Sequence, residues 1–181
     1  SNPPFASALM SLTGAAYDPG DLTTIAQTAI GVLWYSVFAT GNAQRQLGGT
    51  VFDNTTTVYG GSGVPALDAW VNAYVDRFAG DVNATRQAHT YYTPPARFDR
   101  PIVMLHDTLD PVVPYWHALA YERRATSGGR GALLTTQDEL RLDVRRYGHC
   151  NFTRAEAQAA FTALRTAVAS RSRGVRTSTN R

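Results

Sequence analysis

The chain has 181 residues, 44% hydrophobic and 17% charged, with a formal net charge of +3, the composition of an ordinary globular domain and not of a disordered or fibrous chain. All 17 basic residues are arginines, scattered until the RSRGVRTSTNR tail, so a solvated end is expected there and no nucleic-acid partner. The longest apolar stretch, Ile30 to Ala39, contains Gly31 and Ser36 and falls well short of the ~20 residues of a membrane span, and one cysteine excludes an internal disulfide.

Ser1-Asn2-Pro3-Pro4 offers neither a basic start nor a long apolar run, so no secretory signal is expected at this end. Asp18-Pro19-Gly20-Asp21 reads as a helix start. It is followed by Leu22, Ile25, Ala26, Ala29, Leu33 and Val37 at helical spacing, with Gly41-Asn42 as the stop. The run GGTVFDNTTTVYGGSG carries glycines around two short β-prone pieces and predicts a hairpin or an irregular loop. A second amphipathic helix places Leu67, Trp70, Val71, Tyr74, Val75 and Phe78 on one face and ends at Gly80. A third helical stretch runs from Asp81 to Tyr91 before Thr93-Pro94-Pro95 ends it. Residues 1–95 are therefore expected to be mostly helical, with Tyr92 to Arg100 as the joint to the C-terminal half of the chain.

Pro101 to Leu105 is a short apolar run that predicts a strand buried on both faces. His106 to Asp110 then lie just past its carboxyl end, where open α/β sheets place their chemistry. Pro111 and Pro114 stiffen the loop that carries Asp110, and a helix begins near Tyr115. From Glu139 to Arg146, Leu140, Leu142 and Val144 alternate with Arg141, Asp143 and Arg145, as in a strand with one buried face. It leads into Tyr147-Gly148-His149, where Gly148 permits a sharp turn. Thr153-Arg154-Ala155-Glu156 is a capping box for a last helix. Asp110 reads either as a turn carboxylate capping the following helix or as an acid paired with His149, and Asp107 is its rival three positions earlier. His89, His106 and His117 match no metal-ligand spacing, and no metal is expected. Cys150, next to His149, reads as a small buried thiol and is poorly placed as a nucleophile, because neighbours in sequence seldom point at one another.

The order strand, acid, helix, strand, histidine, helix resembles the C-terminal portion of the α/β-hydrolase fold. LHDTLDPVVP is similar to that family's acid loop, and YGHCNFTRAEAQAAFTALRTAV to its histidine loop and last helix. The resemblance implies an α/β fold class: residues 96–172 as the C-terminal part of an α/β-hydrolase sheet, parallel strands with flanking helices, preceded by a mostly helical cap or lid over 1–95 and followed by a disordered tail over 173–181. It implies Asp110 as the acid and His149 as the base of a Ser-Asp-His triad, acting on a small-molecule ester or a peptide without a cofactor. Under a lid, Trp34, Tyr35, Trp70 and His106 would touch substrate; the other reading of the three aromatic residues is that they pack the helices together, and of His106 that it is structural. No G-x-S-x-G is present, since Val64 replaces the last glycine of Gly60-Gly61-Ser62-Gly63. The resemblance thus implies the acid-and-histidine half of a serine hydrolase, inactive without a partner half that brings the nucleophile. The alternative is a non-catalytic protein of hydrolase-like fold used for binding or assembly.

Overall fold

The structure is a computed structural model that describes residues 3–178, and the chain divides into two compact units, Ser1–Pro94 and Pro95–Arg181. In the first unit, α1 (Pro3–Thr13) buries Ala8, Met10 and Leu12. The chain then turns at Asp18, whose carboxylate accepts from the N–H of Gly20 at 2.8 Å, and enters α2 (Thr23–Tyr35). The helix does not stop at Gly41-Asn42. A π-helical turn over Ser36–Thr40 carries it into α3 (Gly41–Leu47), and the end comes at Gly48, which adopts a left-handed φ of 73°. A single glycine inside a helix costs about 1 kcal/mol and does not break it, whereas a left-handed glycine just past the last turn does end one.

The face of α2 that packs is also not the apolar one. Its buried residues are Thr24 and Thr28, and the Thr28 hydroxyl donates to the Ala16 carbonyl at 2.7 Å. Leu33 and Val37 are 65% and 67% exposed. Helical spacing was legible here, but the tie to the preceding loop is a hydrogen bond, and it turns the apolar stripe outward.

GGTVFDNTTTVYGGSG is an irregular loop. Asn54 binds the Phe78 N–H and the Asp76 carbonyl, and the Arg77 guanidinium donates to the carbonyls of Asn54 and Thr57. Polar side chains thus satisfy backbone that forms no ladder. Helix α4 (Pro65–Tyr74) starts with proline in its first turn and buries Leu67. Helix α5 (Val82–Gln87) is capped by Asp81, whose carboxylate accepts from the N–H groups of Asn83 and Ala84 at 2.9 Å each, and a π-helical turn follows over Ala88–Tyr92.

In the second unit, β1 (Ile102–Met104) pairs in parallel with β2 (Leu134–Thr136), with Ile102 opposite Leu134 and Met104 opposite Thr136. Helix α6 (Trp116–Ser127) makes the crossover between them. Ala96, Ala125 and Leu134 form the core, covered by Phe98, Ile102, Met104 and Tyr121. Helix α7 (Arg154–Ser178) closes the unit. It opens on a realised capping box: the Thr153 N–H donates to Glu156 at 2.8 Å and the Glu156 N–H to the Thr153 hydroxyl at 3.2 Å. The tail expected from Arg173 is helical through Ser178, and residues 179–181 lie outside the described residues.

The expected α/β-hydrolase sheet is overturned. Among the described residues there is one sheet of two three-residue strands in a chain that is mostly helical. Residues 139–146 form no strand. The Glu139 carboxylate takes the Thr136 N–H, Leu142 N–H donates to the Gln137 carbonyl, and Arg141 has a φ of 54°, so the chain coils away from β1. The alternation of burial survives, with Val144 buried, Leu140 and Leu142 half-buried, and Arg141, Asp143 and Arg145 exposed. Burial of period two does not by itself supply a hydrogen-bonding partner. Strand β1 is likewise half-buried, not enclosed on both faces.

The Asp81 cap gives a direct test of this description. Asp81→Ala is expected to lower stability by about 1 kcal/mol, the usual cost of losing such a cap. Urea denaturation measures it, and a change under ~0.3 kcal/mol would show that the cap contributes nothing.

Candidate functional site

The loop after β1 carries Asp107 and Asp110, and the loop before α7 carries His149. They are laced together residue by residue. Asp107 accepts the Asn151 N–H at 2.6 Å. Thr108 N–H donates to the Val144 carbonyl at 3.2 Å, and Leu109 pairs with Tyr147 in a parallel bridge. Asp110 then meets the imidazole: His149 Nδ1 lies 2.8 Å from Asp110 Oδ2.

Asp110 is 2% exposed, and its other oxygen, Oδ1, accepts the N–H groups of Val112 at 2.8 Å and Val113 at 2.9 Å. Burial pushes this carboxyl up, but the Val113 N–H, the His149 ring and the Val112 N–H together outweigh burial and hold it below the ordinary value. An ionised carboxylate only accepts, so Nδ1 of His149 carries the proton and donates it to Asp110. When the ring is neutral, Nε2 then holds the free lone pair. Among the described residues its hydrogen-bonding neighbour is the Cys150 thiol, with Sγ at 3.7 Å. Cys150, which the sequence reads as a buried thiol, is exposed. The His149 side chain is 48% exposed.

This approach of two sequence neighbours has a backbone cause. Gly148 has a φ of 130° and Cys150 a φ of 54°, and a left-handed non-glycine residue costs on the order of 1–3 kcal/mol and persists only where the surroundings enforce it. Here the Asn151 amide donates to the Tyr147 carbonyl at 2.9 Å and Arg146 Nε to the Asn151 carbonyl at 2.9 Å. The Arg146 guanidinium also pairs with Glu156. Asn151, Arg146 and Gln137, whose amide oxygen takes the His106 N–H at 2.7 Å, hold the loops and carried no signal in the sequence.

Asp107 is fully buried, and its Oδ1 has no hydrogen-bond partner. Burial pushes its carboxyl above the ordinary value, more than the Asn151 N–H and the Arg146 charge recover, with the Asp110 and Glu156 charges adding to the rise. His106, expected to touch substrate, uses Nε2 to donate to the Val113 carbonyl at 2.7 Å and stacks on Tyr115. It braces the acid loop. Trp34, Tyr35 and Trp70 lie in the first unit, where Trp34 packs edge-on to Tyr35 and Trp70 against Tyr74, and all remain exposed. Ser62 Oγ is engaged within its own turn by the N–H and carbonyl of Val64. No group of three or more metal-ligating side chains is gathered among the described residues.

The two aspartates titrate with opposite sign. Asp110, depressed, contributes stability above the ordinary carboxylate value of 3.8, and that contribution disappears as pH falls through its lower folded value. Asp107, raised, imposes no penalty below 3.8 and an increasing one as pH climbs through its higher folded value. Asp107→Asn, which keeps an oxygen for the Asn151 N–H, is therefore expected to gain stability relative to the parent as pH rises from about 4 to 7. Asp110→Asn is expected to lose stability relative to the parent as pH rises toward 3.8 and to keep a constant deficit above it. Urea denaturation from about pH 2.5 to 7 measures both, and parallel curves for the two variants would refute the assignment.

No family model, no curated protein and no solved structure matches this chain, so the α/β-hydrolase resemblance rests on the two loop motifs alone.

Proposed function

We propose that Asp110 and His149 are the orienting acid and the general base of a hydrolase that acts on a carboxylic ester or a peptide carbonyl. The observation that carries this reading is the 2.8 Å contact between Asp110 Oδ2 and His149 Nδ1, made by a carboxylate whose other oxygen is fixed by two backbone N–H groups. Such an acid sets the tautomer of the ring, aims its free nitrogen and stabilises the imidazolium that forms when that nitrogen takes a proton. A half-exposed ring beside a buried carboxylate suits this work: the acid is shielded from solvent while the imidazole stays accessible.

In the reaction, Nε2 removes the proton of a nucleophile as it attacks the carbonyl carbon. The imidazolium then returns that proton to the departing oxygen or nitrogen. The two loops need no large sheet for this. Their mutual bonds, from Asp107 to Asn151 and from Asp110 to His149, fix the pair locally.

In contrast to the inactive half-enzyme that the loop motifs alone imply, the chain itself is expected to hydrolyse an activated aryl ester, with turnover reduced about 10²–10⁴-fold by His149→Ala, the usual worth of a general base. Asp110→Asn is expected to lower kcat on the order of 10⁴-fold while leaving KM nearly unchanged, because the amide favours the wrong tautomer. Proton NMR supplies a second readout, a downfield Nδ1–H resonance that vanishes in Asp110→Asn. Turnover untouched by both substitutions would overturn the reading.

A further inference from the structure

We propose that Cys150 is the nucleophile served by this pair, so that acyl transfer at the site passes through a thioester on the chain. The proposal rests on the hydrolytic reading of Asp110 and His149 and names the atom that attacks.

The thiol does not stand alone. A continuous line runs from Asp110 Oδ2 to His149 Nδ1 at 2.8 Å and from His149 Nε2 to Cys150 Sγ at 3.7 Å. With Nδ1–H committed to the carboxylate, Nε2 is the acceptor and the S–H its donor. Carboxylate, imidazole and thiol thus stand in the order and with the proton placement that nucleophilic catalysis needs. The spacing of the sequence argued against this, because adjacent side chains in extended backbone point to opposite sides. The left-handed turn at Cys150, φ 54° after Gly148 at φ 130°, puts them on the same side. The buried Asp107 carboxylate holds that turn from behind through the Asn151 N–H.

Access agrees. Cys150 is exposed and is the single cysteine of the chain, so no internal disulfide competes for its sulfur. The described residues offer His149 Nε2 no serine or threonine hydroxyl. A thiolate is intrinsically strong as a nucleophile and needs less from its base than a hydroxyl does.

The step balances without an oxidant, and water is its only co-reactant. The S–H proton passes to Nε2 as Sγ bonds to the ester carbonyl carbon and the carbonyl electron pair moves to oxygen. Collapse breaks the bond to the alcohol oxygen, which leaves with the proton from Nε2, and a thioester remains. Water then gives a proton to Nε2 and attacks the thioester carbon. The C–S bond breaks, the sulfur recovers the proton, and the acid departs.

The test uses the full chain with p-nitrophenyl acetate and, separately, iodoacetamide. The parent is expected to carry an acetyl group on Cys150, located by peptide mapping and removed by hydroxylamine. Its Cys150 is expected to alkylate at least ~10-fold faster near pH 6–7 than Cys150 in His149→Ala or Asp110→Asn, the mark of a thiol whose proton the imidazole accepts. Cys150→Ala, at an exposed position, is expected to keep its circular dichroism and to lose turnover. If Cys150→Ala retains turnover that His149→Ala abolishes, the thiol proposal falls and the hydrolytic reading stands with another nucleophile. If both variants retain it, the hydrolytic reading itself falls. Equal alkylation rates in the parent and His149→Ala, or no acetyl group on Cys150, overturn the proposal whatever the turnover.

Discussion

The second unit depends on the confinement of one carboxylate. Asp110 is removed from water and would be driven toward its neutral form, yet three hydrogen bonds to its two oxygens keep it ionised. Two of the donors, the N–H groups of Val112 and Val113, belong to its own loop, whose course Pro111 and Pro114 constrain. The third comes from His149, so the electrostatics of the loop are complete only when the other loop is in place. Asp107, Thr108, Leu109 and Asp110, four consecutive residues, each reach across to the 144–151 segment. The site is therefore a small double-stranded structure in its own right, made of side-chain and backbone bonds where a sheet is absent.

Asp107 is the counterpart in this arrangement. It sits at the far end of the same lacing, is more buried than Asp110 and has one oxygen without a partner. Two acids three positions apart thus carry opposite environments, one favouring the charge and one opposing it. Environments that push two neighbouring carboxyls apart are a recurrent mark of functional sites. What Asp107 obtains in return is a short bond to the Asn151 backbone, which keeps the turn at Cys150 from relaxing.

Much of the site was legible in the sequence and much of the fold was not. The prolines around Asp110, the glycine before His149 and the Thr153–Glu156 box are local signals, and local chemistry decides them. The exposed thiol was missed because φ at Cys150 is set by Asn151, Asp107 and Arg146, which speak through no spacing rule. The sheet was misread because alternating burial at 140–145 looks the same whether the backbone pairs or coils. Strand pairing is a property of two segments, and β2 was found instead at Leu134–Thr136, in a stretch that carried no period of its own. In the first unit the helical period was real, but Thr28 and its bond to Ala16 chose which face packs. A single buried hydroxyl outweighed a stripe of hydrocarbon.

The contact between Asp110 and His149 closes a loop of 39 positions, and α6 and the pairing of β1 with β2 lie inside it. Closing a loop has an entropic cost that grows with its length, and the cost is smaller once the interior has already shortened the path. With α6 and the strand pair in place, the two loops have a shorter path to close, and their contact costs less entropy than it would across a disordered interior. Parting of the two loops would break the Asp110–His149 contact without requiring loss of the small core around Ala96, Ala125 and Leu134.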